Sequence, residues 1–316
     1  VLIKSSDLLN ESEVVVKNPL VISITRMTVH NGPGIRTLIL FKGCPLRCVW
    51  CSTPESWNES PEIAFYTDRC ILCGDCIPVC PRTAITAGDK AVIINRELCN
   101  NCSQCVTVCN TEALRLLGQK YTIEELVQEV KKDKVVFKHS GGGVTVSGGE
   151  PLLDPEFALE LFRSFKQNGI NVGVDTCGYV PRKNVEVVLP YVDFFLWDIK
   201  HMDDDKHKEF TGVSNRLILD NLRFVSDNSI PVYIRLPIIP GYNDSEENLR
   251  AVCEFAKDLS SLVEINLLPL HHLGKARYVA LGLEYPIEGI PLIQDEVLQE
   301  IKKLVESYGL TCHIIG

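Results

Sequence analysis

Cys44, Cys48 and Cys51, in the run Cys-Pro-Leu-Arg-Cys-Val-Trp-Cys, are the residues of this chain best spaced for redox chemistry. Three thiolates this close can hold three irons of a four-iron cluster and leave the fourth iron without a protein ligand. An open metal position is where a substrate can coordinate and react. A zinc site is the competing reading; zinc wants a fourth ligand, and His30 is the only close candidate. A second segment with chemical character is Ser147-Gly148-Gly149-Glu150-Pro151, which reads as the C-terminal end of a strand, where α/β folds place their ligands. Its two glycines lack a Cβ, so backbone there can approach a ligand closely.

Between these segments lie two runs of one spacing: Cys70, Cys73, Cys76 and Cys80 followed by Pro81, then Cys99, Cys102, Cys105 and Cys109. Each is the bacterial ferredoxin run, in which the fourth cysteine serves the other cluster. On that rule Cys70, Cys73, Cys76 and Cys109 hold one cluster, and Cys99, Cys102, Cys105 and Cys80 hold the second. Two zinc sites are the alternative, and Asn110 stands where the second run might have had proline. The two clusters relay electrons to the open one, or else staple a small domain with little core of its own. Of the 14 cysteines, Cys177, Cys253 and Cys312 remain, and buried packing is expected for them.

The elements that must position these groups follow from periodicity. Leu20 to Thr25 and Thr37 to Phe41 are strand-prone on either side of the Gly32-Pro33-Gly34 turn. Thr122 with Glu125 forms a capping-box pattern ahead of Ile123, Leu126, Val127 and Val130 at helical spacing. Gly143 to Ser147 reads as a buried strand. Asp154 and Pro155 open a helix with Phe157, Leu161 and Phe165 on one face. Asn171 to Asp175, Asp193 to Ile199, Val232 to Pro237, Glu264 to Leu268 and Leu310 to Ile315 are further strand-like runs separated by helical or turn-rich stretches. Strands alternating with helices imply βα units and a parallel sheet, so the fold class is α/β, a partial (β/α)6-type TIM-like barrel with an inserted ferredoxin-like two-cluster domain. The expected division is 1–61 for the first part of the main domain with its cysteine loop, 62–117 for the insert, and 118–316 for the remainder.

A net charge of −9 argues against a nucleic-acid partner, and no apolar run approaches the roughly 18–20 residues of a membrane span. Val1 to Asn18 reads as a poorly specified lead-in without a signal-peptide pattern. Dense cysteines without that pattern point to cluster ligands in a reducing cytoplasm rather than to disulfides.

The cysteine triplet ahead of a chain of βα units resembles the radical S-adenosylmethionine superfamily. The segment His30-Asn31-Gly32-Pro33-Gly34-Ile35-Arg36-Thr37 is similar to that of glycyl radical enzyme activating enzymes, as are Asp175 to Tyr179, Asp198 to Asp203, Thr211 to Asn215, Arg235 to Asp244 and Pro269 to Gly274. The two-cluster insert looks like that of the larger members. The resemblance implies a site built from Cys44, Cys48, Cys51, Lys200 and His271. It also implies that Trp50, Ser52, Gly148, Gly149, Glu150, Asp175, Thr176, Asp198, Lys200, Arg235 and His271 surround S-adenosylmethionine, with a monovalent cation as an optional companion of Asp175 and Thr176. Implied cofactors are S-adenosylmethionine and three [4Fe–4S] clusters. Implied partners are a glycyl radical enzyme as protein substrate and a flavodoxin or ferredoxin as electron donor, in an anaerobic cytoplasm. Asn31 departs from the family's aspartate: a carboxylate there can pair with an arginine, whereas the amide only hydrogen-bonds.

Two rivals differ in what they require. A radical maturase of another protein or peptide often carries its extra clusters in a C-terminal cysteine-rich domain, and here only Cys253 and Cys312 follow Cys177. A ferredoxin-type electron-transfer protein needs neither the triplet nor the Ser147 to Pro151 segment nor the His271 region.

Overall fold

Capped amphipathic segments and short apolar runs become helices and strands in the expected order; the computed structural model describes residues 19–315, so the lead-in read for Val1 to Asn18 lies outside the described residues. The described residues open with β1 (Val21–Thr28) and β2 (Arg36–Phe41), an antiparallel pair. The cysteine-rich stretch contributes β3 (Glu62–Phe65), β4 (Ile85–Thr86), β5 (Ile93–Ile94), α1 (Gln104–Thr107) and β6 (Leu114–Leu117). The rest alternates: α2 (Ile123–Lys131), α3 (Lys134–Ser140), β7 (Gly143–Gly148), α4 (Pro155–Gln167), β8 (Asn171–Thr176), α5 (Arg182–Val188), β9 (Phe194–Asp198), α6 (Asp204–Thr211), α7 (Arg216–Asp227), β10 (Val232–Ile238), α8 (Glu246–Lys257), β11 (Leu262–Pro269), α9 (Lys275–Leu281), α10 (Asp295–Ser307) and β12 (Cys312–Ile314).

One sheet takes the strand order β1-β2-β7-β8-β9-β10-β11-β12, parallel from β2 onward, with β1 and β12 at its two ends. This is an open, partial barrel of βα units. Local chemistry sets its helices. Thr122 accepts from the Glu125 amide while the Glu125 carboxylate accepts from the Thr122 amide, so the capping box forms. Asp154 caps α4 by accepting from the Phe157 amide at 3.0 Å, and Phe157, Leu161 and Phe165 bury its inner face. Asp193 stays outside β9, because its carboxylate binds Lys166 at 2.6 Å and the Val172 amide at 2.7 Å.

Successive side chains of a strand face opposite sides. Val144, Val146, Val172, Val174, Phe195, Trp197, Ile234, Ile265 and Leu267 join the helices in the main core. The alternate positions, Thr145, Ser147, Asp175, Asp198, Arg235 and Asn266, are polar and share the other face. The insert stands apart on two small sheets, β3 with β6 and β4 with β5, and β3 begins with Glu62 opposite Leu117 of β6. Lys42, just past β2, reaches across to Glu62 at 2.8 Å.

The segment from His30 to Arg36 lies at the start of β2, the opposite end from the cysteine triplet. Arg36 is buried, and it donates to Thr145 at 2.6 Å, to the Val144 and Pro33 carbonyls at 2.6 and 3.0 Å, and to Asn171 Oδ1 at 2.9 Å. Burial lowers its guanidinium to about 10. Asn31 takes part through its backbone carbonyl, which accepts from the Thr145 hydroxyl at 2.6 Å.

Candidate active site

The cysteine triplet occupies the loop after β2, at the C-terminal ends of the parallel strands. Three neighbours fix its backbone. From the end of β7, the Gly149 amide donates to Phe41 O at 2.9 Å and the Glu150 amide to Gly43 O at 2.7 Å. From the turn after the loop, Ser56 O accepts from Gly43 at 2.7 Å and Trp57 O from Cys44 at 3.2 Å. From the end of α6, Thr211 O accepts from Arg47 at 2.7 Å and Phe210 O from Val49 at 3.0 Å. Gly148 has φ +117°, and a Cβ there would collide with the Phe41 backbone; one on Gly149 would collide with Gly43 O. What approaches these two glycines so closely is therefore the root of the cysteine loop itself. Cys48 is buried, while Cys44 and Cys51 are partly open. Burial pushes the Cys48 and Cys51 thiols up, whereas a hydrogen bond with Cys177 holds Cys44 below its ordinary value.

Beside this loop the polar face of the sheet gathers two acids and two bases. Lys200 Nζ lies 2.9 Å from Asp198 Oδ2. Asp175 Oδ2 accepts from the Ser147 hydroxyl at 2.8 Å and from Arg235 Nη1 at 3.3 Å. The register pairs Arg235 with Asp198 across β9 and β10, and the ion pairs of Arg235 with Asp175 and of Lys200 with Asp198 join the four charges into one group. Burial raises the Asp175 carboxyl against the pull of Arg235. Burial works against the charge on Lys200, yet Asp198 and then Cys48 outweigh it and hold the ammonium above its ordinary value. Fixed cations and carboxylates facing a thiol-rich loop suit a zwitterionic, amino-acid-like ligand.

The remaining predicted residues divide. Glu150 is buried, and its Oε2 accepts from Thr176 Oγ1 at 2.7 Å, from the Cys177 amide and thiol at 3.0 Å, and from the Gly178 amide at 3.2 Å; Oε1 takes the Leu152 amide at 3.0 Å. Glu150 and Thr176 thus tie β7 to β8 beneath the site, with both carboxylate oxygens committed, and burial raises the Glu150 carboxyl. Trp50 packs its ring against Tyr242 and Phe210, with centroids 5.7 and 6.0 Å away, and its buried indole N–H has no partner among the described residues. His271 and Ser52 are both exposed at the rim. They are brought near each other because Gly274 packs against the Ser52 backbone.

Some contributors were not singled out by their sequence. Cys177 is buried as expected, but between Glu150 and Cys44; its place directly after Thr176 was the available signal. Cys253 and Cys312 do sit in the main core. Ser147, the first residue of the glycine-bearing segment read from the sequence, donates to Asp175. Tyr278 of α9 packs edge-on to Trp57 at 5.7 Å, and burial, then the charges of Cys51, Tyr285 and Cys48, push its phenol up. No spacing pattern in the sequence pointed to it.

In the insert, one cavity is lined by Cys70, Cys73, Cys76 and Cys109, and a second by Cys80, Cys99, Cys102 and Cys105. The structure thus gathers the cysteines in two groups of four, each drawing one cysteine from the other run. No three His, Cys, Asp or Glu side chains among the described residues close on one point as the ligands of a single ion do. The second cavity abuts the main domain: Arg96 donates to Ile63 O of β3 and, at 2.8 Å, to Ala280 O of α9.

The chain matches the radical SAM superfamily over residues 94–253 and a 4Fe-4S dicluster domain over residues 61–113. It is 39% identical over 311 residues to the choline trimethylamine-lyase activating enzyme of Oleidesulfovibrio alaskensis, covering 96% of this chain and 99% of that one. It is 41% identical to the isethionate sulfite-lyase activating enzyme of the same organism, covering 92% and 95%. It is 40% identical to the trans-4-hydroxy-L-proline dehydratase activating enzyme of Clostridioides difficile, covering 95% and 100%. Among solved structures, Streptococcus suis SuiB bound to precursor peptide SuiA superposes with a TM-score of 0.53 at 12% identity, over 86% of this chain and 46% of that one. A radical SAM methyltransferase from Sphaerobacter thermophilus does so with a TM-score of 0.50 at 16% identity, over 94% and 77%. At such identities the structural likeness speaks for the fold alone.

Proposed function

This chain belongs to the radical SAM superfamily and, within it, to the activating enzymes of glycyl radical enzymes, and from that premise we propose how its own residues divide the work. With an open-coordinated cluster and S-adenosylmethionine bound, reductive cleavage of the sulfonium supplies a 5′-deoxyadenosyl radical that takes a hydrogen atom from a glycine Cα of the partner enzyme. Cys44, Cys48 and Cys51 hold the irons. Lys200 and Arg235 meet the carboxylate of S-adenosylmethionine, and Asp198 and Asp175 keep those two cations fixed in place. Ser52 and His271 stand at the rim, where the nucleoside and the incoming glycine loop enter. Glu150, Thr176, Gly148 and Gly149 position the cysteine loop rather than touch the cofactor. Trp50 braces that loop against Phe210 and Tyr242. A monovalent cation is left out of this reading, because Arg235 already matches Asp175 and Glu150 already engages Thr176.

The chain is divided into 1–61, the 62–117 insert and 118–316. The insert carries two further [4Fe–4S] clusters, one in each four-cysteine cavity, and passes electrons inward from a reduced flavodoxin or ferredoxin. Exposed Cys73 and Cys102 support entry from solvent. The contact of Arg96 with α9 supports the Cys80, Cys99, Cys102 and Cys105 cavity as the inner of the two. No helix among the described residues is long and apolar enough to cross a membrane, and work in an anaerobic cytoplasm suits a cluster with an open iron. Relatives named for different partner enzymes are almost equally similar to this chain, so the choice of partner resides in surfaces the shared machinery does not fix.

The observation that carries this reading is the convergence of Lys200, Asp198, Asp175 and Arg235 beside the triplet loop. The test is anaerobic reconstitution with iron and sulfide, then dithionite and S-adenosylmethionine, with 5′-deoxyadenosine as the readout. Product is expected from the wild-type chain, falling at least 100-fold in the Cys44→Ala/Cys48→Ala/Cys51→Ala variant. Absence of product from a fully loaded chain overturns the enzyme reading in favour of simple electron transfer.

A further inference from the structure

Tyr278 is 1% exposed, and its hydroxyl is buried without a hydrogen-bond partner among the described residues. Buried phenols ordinarily find one, as the neighbouring Tyr285 does 3.0 Å from His272 Nδ1. The Tyr278 ring belongs to the apolar cluster that contains Cys48, with Cys44, Cys51 and Trp57 packed on it. Its place is held from two sides. Arg96 fixes the C-terminal half of α9 through Ala280 O, and the turn before α9 packs on Ser52 through Gly274. Two other buried polar atoms nearby, Trp50 Nε1 and Glu55 Oε2, are also unpartnered among the described residues; the indole N–H is a donor and offers the phenol no acceptor, no hydrogen bond joins Glu55 to the phenol, and the other Glu55 oxygen pairs with Arg277. A phenylalanine would fill the same space, so the hydroxyl needs an acceptor; among the charged groups that act on it Cys51 comes first, ahead of Tyr285, Cys48 and Glu55, and the triplet cysteines share its packed cluster.

We propose that the Tyr278 hydroxyl is a positioning donor that hydrogen-bonds the sulfur face of the cluster held by Cys44, Cys48 and Cys51 and so raises that cluster's reduction potential. The inference rests on the reading that the triplet holds a four-iron cluster. Hydrogen bonds to cluster sulfurs are among the determinants of potential, and the reduced cluster, with one more negative charge, gains more from a donor than the oxidised one.

The test is an anaerobic redox titration of the three-cluster protein followed by electron paramagnetic resonance. The signal absent from the Cys44→Ala/Cys48→Ala/Cys51→Ala variant belongs to the triplet cluster; if that variant loses no signal and no iron, the underlying reading fails and not this inference alone. In Tyr278→Phe the assigned signal is expected to become about tenfold harder to reduce, a shift of ~59 mV to lower potential for one electron, with the two insert signals unmoved. An unchanged midpoint in a fully loaded variant overturns the proposal. Should Tyr278→Phe fail to load, 3-fluorotyrosine at position 278 decides. It retains the donor and makes it more acidic, so the midpoint is expected to rise, and no change overturns the proposal.

Discussion

The main sheet and the cysteine-rich insert are built on opposite principles. In the sheet, apolar residues from Val21 to Cys312 close one continuous core, and the polar face is free to carry chemistry. The insert buries only a small cluster, Ile63, Phe65, Ile85, Val92, Ala113 and Leu114, and even that includes Cys76 and Cys105. Five of its non-glycine residues, Leu72, Thr83, Asn101, Ser103 and Glu112, have positive φ, against Met27 and Ser229 elsewhere among the described residues. Each such residue costs on the order of 1 kcal/mol, a cost that falls on a core too small to leave much margin once chain entropy is met. Metal–thiolate bonds of a 4Fe-4S dicluster domain would supply the missing support, since binding free energy at a structural site is folding free energy. The difference teaches that the same residue type sits in two settings: the insert's cysteines line two cavities of a region with little core of its own, whereas the triplet loop is held by hydrogen bonds from three neighbours.

The largest expected effect breaks the two regions apart. Chelating all iron under anaerobic conditions should let residues 62–117 exchange their amides as an unfolded chain, while β7 to β11 keep their protection. Hydrogen exchange read by mass spectrometry measures both at once. Equal loss in the sheet would sink the comparison. A smaller effect is expected at the seam. Arg96→Met removes the donor that bridges Ile63 O and Ala280 O, and the loss of such a charged donor is worth about 1 kcal/mol or somewhat more. Exchange across α9 should therefore rise several-fold with iron content unchanged, whereas faster exchange throughout the insert would show that Arg96 holds the insert's own fold.

The smallest effect is a pH dependence confined to the sheet side, since residues 62–117 contain no histidine. His207 Nδ1 donates to Val213 O at 2.7 Å beneath the end of α6, whose carbonyls clamp the triplet loop; burial lowers both His207 and His201 from 6.5. Below that value the unfolded chain takes up protons that the folded chain refuses. Stability is therefore full above pH 6.5 and falls as pH drops through it, by at most about 1.4 kcal/mol per pH unit for each histidine. Urea midpoints between pH 5 and 8 should show this slope, with His207→Asn flattening part of it. An identical slope in His207→Asn would assign the effect elsewhere.

What the sequence determined by itself was whatever depends on neighbours in the chain. Cysteine spacing marked the triplet loop and the two cysteine-rich runs, side-chain periodicity marked the βα order, and Thr122 and Asp154 marked helix starts, because each rests on contacts within a few residues. The tertiary structure decided the rest. It showed that Gly148 and Gly149 make room for the backbone of Phe41 and Gly43. It spent both oxygens of Glu150 on joining β7 to β8, set Cys177 against Cys44, put Arg36 at the far end of β2, and placed a partnerless phenol from Tyr278 behind the triplet. Each of these depends on atoms brought together by parallel pairing across long crossovers. A side chain's type states what bonds it can make, but only packing decides which partner arrives and whether water is left to compete.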